Sequence, residues 1–176
     1  MIRYRIHDDE FDLIRAEARL SARWDGGSNI RDRESKISLL DVDNVVGQVG
    51  EWALSLALTG SADAWLRTRA KRAKTPWEGD GGEDLDGLRW DVKASLMRYA
   101  QDPYRYRLFV RSRELRDGWK YALALVSIDW RSVWLPGYAT SEEVREAPRA
   151  WNGSQAGPHE IEVARLHPMP SEIALG

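Results

Sequence analysis

The sequence predicts an α/β domain in which helices occupy the first half of the chain and strands the second half. Apolar residues recur at helical spacing in segments before residue 74, whereas short apolar runs typical of strands follow from about residue 88. Pro76 and the glycines from Gly79 to Gly82 separate the two halves. A helical half followed by a meander of strands favours a sheet that is mostly antiparallel or mixed.

Three helices are expected, over residues 8–24, 44–60 and 62–73. Asp8 or Asp9 can cap the first helix, and Asn44 or Asp43 can cap the second. The second helix should end at Gly60, because glycine is the usual residue just after a helix C-terminus.

The second helix carries a single charge, Glu51. Val45, Val49 and Trp52 form an apolar stripe, and further leucines extend the apolar surface, so most of this helix should be buried. A buried carboxylate is costly unless it has a partner. Either Glu51 has a specific role, or it lies opposite the stripe as an exposed charge.

Strands are expected in four segments, namely EDLDGLRWDVKAS, RYRLFVRS, KYALALVSI and SVWLPGYAT. The first segment should form a short hairpin that turns at Asp86-Gly87, a common turn pair. A short helix should begin at Ser141, and RAWNGSQAGP is expected to be a loop.

Composition limits the classes of protein and of site. A chain of 176 residues without repeats favours one domain. There is no cysteine, and His7, His159 and His167 lie far apart, so a metal ion would be held by oxygen ligands. We expect a cytoplasmic protein without membrane association, because the N-terminus lacks a signal-peptide core and no apolar run is long enough to span a membrane.

Charge is distributed unevenly although the net charge is only −2. Six acids and one arginine lie between Glu78 and Asp91, and this acidic segment is flanked by basic ones. The candidate nucleic-acid contacts in the basic segments are Arg67, Arg69, Lys71, Arg72, Lys74 and Arg98. The alternative is that the run at 65–74 is an ordinary solvated helix face.

Asp91 and Lys93 should project from the same face of a strand, because side chains two residues apart do so. The predicted hairpin would bring Asp84 alongside, so that the carboxylates of Asp84 and Asp91 converge. Two or three such oxygens with water describe a magnesium site. Gln48, one turn before Glu51, and Ser95, two residues after Lys93, would face the same site.

These residues resemble the PD-(D/E)xK nuclease superfamily, which includes many restriction endonucleases. The matching motifs are DVK at 91–93, Asp84 within GDGGEDL and Glu51 within GQVGEWAL, over roughly residues 44–128. The pattern is similar to that of small phage and prophage-type members. Two departures are that no proline precedes Asp84 and that the hairpin is short, which leaves Asp80 and Asp86 as rival ligands.

The resemblance implies a single domain over 1–176 with a restriction endonuclease-like core, in which a central mixed sheet is flanked by helices and preceded by an N-terminal helical extension. It also implies hydrolysis of phosphodiester bonds in DNA by a water that Mg²⁺, or alternatively Mn²⁺, activates; RNA is not excluded. Glu51, Asp84 and Asp91 would hold the metal, and Lys93 would orient the water or offset charge in the transition state.

Two further properties stay open at this point. Many small members of the superfamily are homodimers, and one metal or two would serve the chemistry. The alternative function is a catalytically silent module on the same fold, which binds nucleic acid or protein, for example as a phage–host conflict factor.

Overall fold

The structure is a computed structural model that describes residues 1–24, 33–74, 84–85, 87–98, 102–151 and 156–170. The helices are α1 (Asp8–Trp24), α2 (Arg33–Thr59), α3 (Asp63–Lys74) and α4 (Ser141–Glu146). The strands are β1 (Ile2–Arg5), β2 (Trp90–Met97), β3 (Arg107–Val110), β4 (Lys120–Ser127), β5 (Ser132–Thr140), β6 (Arg149–Trp151) and β7 (Ala156–Glu162). None of the helices in these ranges combines the length and apolar character needed to span a membrane.

The strands form two sheets. The larger has the order β1-β5-β4-β2, in which β2 runs parallel to β4 and the other pairs are antiparallel. The smaller, β3-β7-β6, is antiparallel. The predicted α/β class with a mixed central sheet is therefore confirmed, whereas a restriction endonuclease-like core stays a prediction.

Strand β4 separates two apolar cores, because it is buried on both faces. Ala122 and Ala124 face a core built largely with α2. Leu123 and Leu125 face a second core that includes residues of the small sheet. The central sheet thus lies between a helical layer and the smaller sheet, and β2 forms its edge.

Helices α1, α3 and α4 agree with the sequence prediction, but α2 begins about ten residues earlier than predicted, at Arg33. Asp43 and Asn44 therefore lie inside the helix and do not cap it. The reason is visible in the sequence, because RESKISLLDVD contains no glycine or proline to stop a helix. The predicted end is correct: Gly60 has φ 71°, and its N–H donates to the carbonyl of Leu56 at 3.0 Å.

Two strand predictions are wrong. The first is the hairpin: within the described residues, β2 pairs only with β4. Asp84 and Leu85, which were expected to lie in the first strand of the hairpin, form a bend. Gly87 does turn the chain, with φ 76°, but this turn joins a bend to a strand. The expected loop RAWNGSQAGP contributes β6 and the start of β7, because pairing with β3 gives the backbone of β7 a partner that local sequence does not reveal.

Candidate active site

The candidate site is built around β2, the edge strand of the larger sheet. Its side chains alternate as predicted: Val92 packs into the core that contains α2, whereas Asp91 and Lys93 project from the other face. Lys93 Nζ lies 2.9 Å from Asp91 Oδ2, an ion pair between neighbours on the same strand face.

Asp84 binds the open edge of β2 through its side chain. Its Oδ2 accepts a hydrogen bond from the backbone N–H of Val92 at 2.6 Å, on the edge that β4 does not cover. The carboxylate of Asp91 lies near enough to Asp84 to raise its pKa. The convergence of these two residues therefore occurs without the predicted hairpin.

Glu51 reaches the same place from α2, because that helix packs unusually close to β2. A Cβ at Gly50 would lie only 2.9 Å from the Cβ of Ala94, so this contact requires glycine. Glu51 is 7% exposed. The alternative that Glu51 is an exposed charge is therefore wrong.

Two arginines of α3 neutralise the acids on this side. Arg69 Nη2 donates to Glu51 Oε2 at 2.9 Å, and Arg69 is only 3% exposed. Arg72 lies between two acids, 3.6 Å from Glu51 Oε1 and 3.7 Å from Asp84 Oδ1. These ion pairs were not predicted, although the spacing of three residues places Arg69 and Arg72 on one helix face.

Gln48 lies beside Glu51 and is held in place by a tryptophan. Trp65 Nε1 donates to Gln48 Oε1 at 2.9 Å, which leaves the amide nitrogen of Gln48 3.4 Å from Glu51 Oε1. Ser95 is half-buried further along β2, where it lines a groove.

A fourth acid, Glu114, was missed by sequence reasoning and lies on the face of β2 that carries Asp91 and Lys93. Its Oε2 lies 3.1 Å from Lys93 Nζ. Glu114 belongs to a short 3-10 turn that Tyr121 fixes, because the buried Tyr121 hydroxyl donates to the Glu114 carbonyl and accepts from the N–H of Arg116. Its distance of 21 residues from Lys93 gave no sequence signal.

The pKa values of both aspartates are raised above their ordinary values, and burial is the main cause. Burial, together with the nearby carboxylates of Glu51 and Asp91, raises the pKa of Asp84 well above its ordinary value. Burial also raises the pKa of Asp91, although Lys93 opposes this shift. The shift is larger for Asp84, so Asp84 is the more readily protonated of the two.

Lys93 remains a cation at this position. Burial alone would lower the pKa of Lys93, but the carboxylates of Asp91 and Glu114 raise it above its ordinary value. Burial opposes ionisation of Glu114 too, yet Lys93 holds the pKa of this carboxyl below its usual range. Lys93 can therefore attract or orient an anion or water, but it is not suited to act as a base.

The donor set fits a divalent cation only in part. Asp84 and Asp91 offer adjacent carboxylate oxygens, the ligands that Mg²⁺ prefers, and their surplus charge would be relieved by a cation. Both oxygens of Glu51 are engaged by arginines. In the described part of the chain, no three acids or histidines form an arrangement that would hold a metal ion, so the predicted triad is not assembled as a metal site.

The structure describes only some of the remaining predicted residues. Arg67, Lys71 and Arg98 are exposed, whereas Arg69 is buried and so does not lie on a solvated face. The side chain of Lys74 and the rival ligands Asp80 and Asp86 lie outside the described residues.

Comparison with known protein families, with curated proteins and with solved structures found no significant match to this chain.

Proposed function

We propose that this chain is a metal-dependent nuclease that hydrolyses phosphodiester bonds of DNA. The observation that carries the proposal is that Asp84, at the edge of β2, interacts with Glu51 on one face of the strand and with Asp91, the partner of Lys93, on the other. Buried acids with raised pKa values beside a fixed cation are common at functional sites, and this pattern supports an enzyme.

In this proposal Asp84 and Asp91 hold a Mg²⁺ or Mn²⁺ ion. Such an ion, held by these two residues, would supply activation of a water molecule and compensation of negative charge on the phosphate. Asp84 is already fixed by the N–H of Val92, so its carboxylate needs little reorganisation to bind a cation.

Lys93 stabilises charge and orients the attacking water. Its ammonium lies 2.9 Å from Asp91 and 3.1 Å from Glu114, so two carboxylates set its position before substrate binds. A fixed cation next to the scissile phosphate stabilises the extra charge of the transition state. Gln48 and Arg69 hold Glu51 and thereby position the helix side of the site.

A second function is favoured by the arginines. Because Arg69 and Arg72 occupy both oxygens of Glu51, the fold would also suit a module that binds nucleic acid or protein without turnover. Such a module would shift DNA in a gel without metal and would never shorten it.

Cleavage assays on purified variants test the proposal. Wild-type protein is incubated with plasmid, linear DNA, branched DNA and RNA in Mg²⁺, in Mn²⁺ or in EDTA. We expect metal-dependent cleavage that falls about a hundredfold or more in Asp91→Asn and in Lys93→Gln. Asp12→Asn on the exposed face of α1 is the matched control and should cleave normally.

Circular dichroism and thermal melting show whether the inactive variants remain folded. Cleavage by folded Asp91→Asn at the wild-type rate would overturn the proposal. Light scattering after size-exclusion chromatography tests the predicted homodimer, which would allow two strands to be cut together.

A further inference from the structure

Two cavities lie along the open edge of β2, next to the candidate active site. A cavity of about 330 Å³ begins at Lys93, and a second of about 500 Å³ continues toward Arg98. Ala94 and Ser95 line both cavities, so the two form one path along the strand.

The cavity near Lys93 is bordered by the outer face of β3. This strand buries Leu108 and Val110 and leaves Arg107 and Phe109 exposed. Phe109 is 44% exposed, although an aromatic ring is costly to leave in water. Arg107, Phe109 and the following Arg111 all line the cavity, so an aromatic ring lies between two cations.

The second cavity repeats this combination of an aromatic ring and a cation. Tyr106 and Arg98 line it, together with a single acid, Asp43. Among the described residues that line the two cavities there are four cations, Lys93, Arg98, Arg107 and Arg111, and two acids, Asp43 and Glu114. Arg107 is paired with Glu160 and Glu162, and Lys93 with Asp91 and Glu114, so the exposed Arg98 and Arg111 are the cations best placed to contact an anionic, base-bearing chain.

We infer that a single, unpaired nucleic-acid strand lies along the edge of β2, with bases stacked on Phe109 and Tyr106 and phosphates near Arg98 and Arg111. This inference rests on the proposed nuclease function and names its substrate class. Bases can stack on aromatic side chains only when they are unpaired. The carboxylates are also recessed, with Asp84 16% exposed, and a narrow single strand reaches a recessed site more readily than a duplex.

A peptide that adds as a further strand is the competing occupant of an open sheet edge. The side chain of Asp84 already accepts the N–H of Val92, which removes one of the donors that such a peptide would need. Cations next to aromatic rings suit the phosphates and bases of a nucleotide chain better than they suit a peptide that binds through backbone hydrogen bonds.

Fluorescence anisotropy in EDTA, where cleavage is blocked, tests the inference. We expect wild-type protein to bind a labelled single-stranded oligonucleotide at least about tenfold tighter than a duplex of equal length. Phe109→Ala should weaken single-strand binding about tenfold, and Arg111→Gln should reduce the slope of log affinity against log salt by about 0.7.

The matched controls are Ile128→Ala, an exposed apolar side chain, and Arg131→Gln, whose arginine is 64% exposed, as is Arg111. Both should bind like wild type. Equal affinity for duplex and single strand, or unchanged binding by Phe109→Ala, overturns the inference, as does a peptide strand that competes for the site while DNA does not.

The two proposals fail separately. If single-strand binding depends on Phe109 but Asp91→Asn still cleaves, the single-strand inference is supported and the nuclease assignment fails. If Asp91→Asn abolishes cleavage while Phe109→Ala binds single-stranded DNA normally, the nuclease assignment is supported and the single-strand inference fails.

Discussion

The two sides of β2 carry similar charges in different surroundings. On the helix side, Glu51 and Arg69 form a buried pair that ties α2 to α3. On the other side, Lys93 pairs with the buried Asp91 and with Glu114, and the partly exposed Lys93 and Glu114 border a groove. The difference indicates that the helix side stabilises the fold, whereas the charged side chains of the groove side are accessible to solvent. Asp84 links the two sides.

The largest expected effect comes from breaking the buried pair. Arg69→Met should lower the free energy of unfolding by about 3–5 kcal/mol, because it leaves Glu51 buried without its closest cation. Glu114→Gln on the groove side should cost about 1 kcal/mol or less, since its ion pair is partly solvated. Urea denaturation measures both. Equal costs would remove the distinction between the two sides.

The next effect concerns the approach of α2 to β2. Gly50→Ala should destabilise by about 1–3 kcal/mol, because the new methyl group would lie too close to Ala94. Gly47→Ala in the same helix is the control: its Cβ would contact nothing within 4 Å, so it should stabilise by up to about 1 kcal/mol. Thermal melting should show a lower melting temperature for Gly50→Ala and a higher one for Gly47→Ala. A higher melting temperature for Gly50→Ala would contradict the close approach of α2 to β2.

Arg72 contacts one acid on the helix side, Glu51, and one at the edge of β2, Asp84. Its distances to Glu51 and Asp84, 3.6 Å and 3.7 Å, exceed those of a hydrogen bond, so each of these two ion pairs is weaker than the pair of Arg69 with Glu51. Arg72→Gln should therefore cost about 1 kcal/mol or less in stability and raise the affinity for Mn²⁺ about tenfold. Calorimetry without DNA measures this affinity. Weaker Mn²⁺ binding would mean that Arg72 supports the cation site and does not compete with it.

The smallest effect is a gain in stability. Asp84→Asn keeps an acceptor for the N–H of Val92 but removes a crowded charge. We expect a gain on the order of 1 kcal/mol, or a melting temperature about 2–4 °C higher at neutral pH.

The stability difference between Asp84→Asn and wild type should depend on pH. Because the folded pKa of Asp84 lies above its ordinary value of 3.8, the folded state binds this proton more tightly than the unfolded chain does. Stability from this group is therefore present below pH 3.8 and is lost as the pH rises through the raised pKa. The advantage of Asp84→Asn over wild type should shrink on acidification, and a constant difference would contradict this.

The sequence predicted the parts of the site that depend on local spacing. Asp91 and Lys93 share a strand face because side chains alternate, and Glu51 was found because it is the lone charge in the apolar segment 44–60. The partners of these residues come from distant positions, so Arg69 on α3 and Glu114 after β3 had no signal near the motif. The parallel pairing of β2 with β4 escaped prediction for the same reason, because it joins segments that a turn does not connect.

Calorimetric titration of Mn²⁺ into wild-type and Asp91→Asn protein tests most directly whether the edge of β2 is a cation site. We expect saturable binding by wild type that is lost in the folded variant, together with its cleavage activity. An unchanged binding curve in Asp91→Asn would contradict a metal-dependent site at this edge.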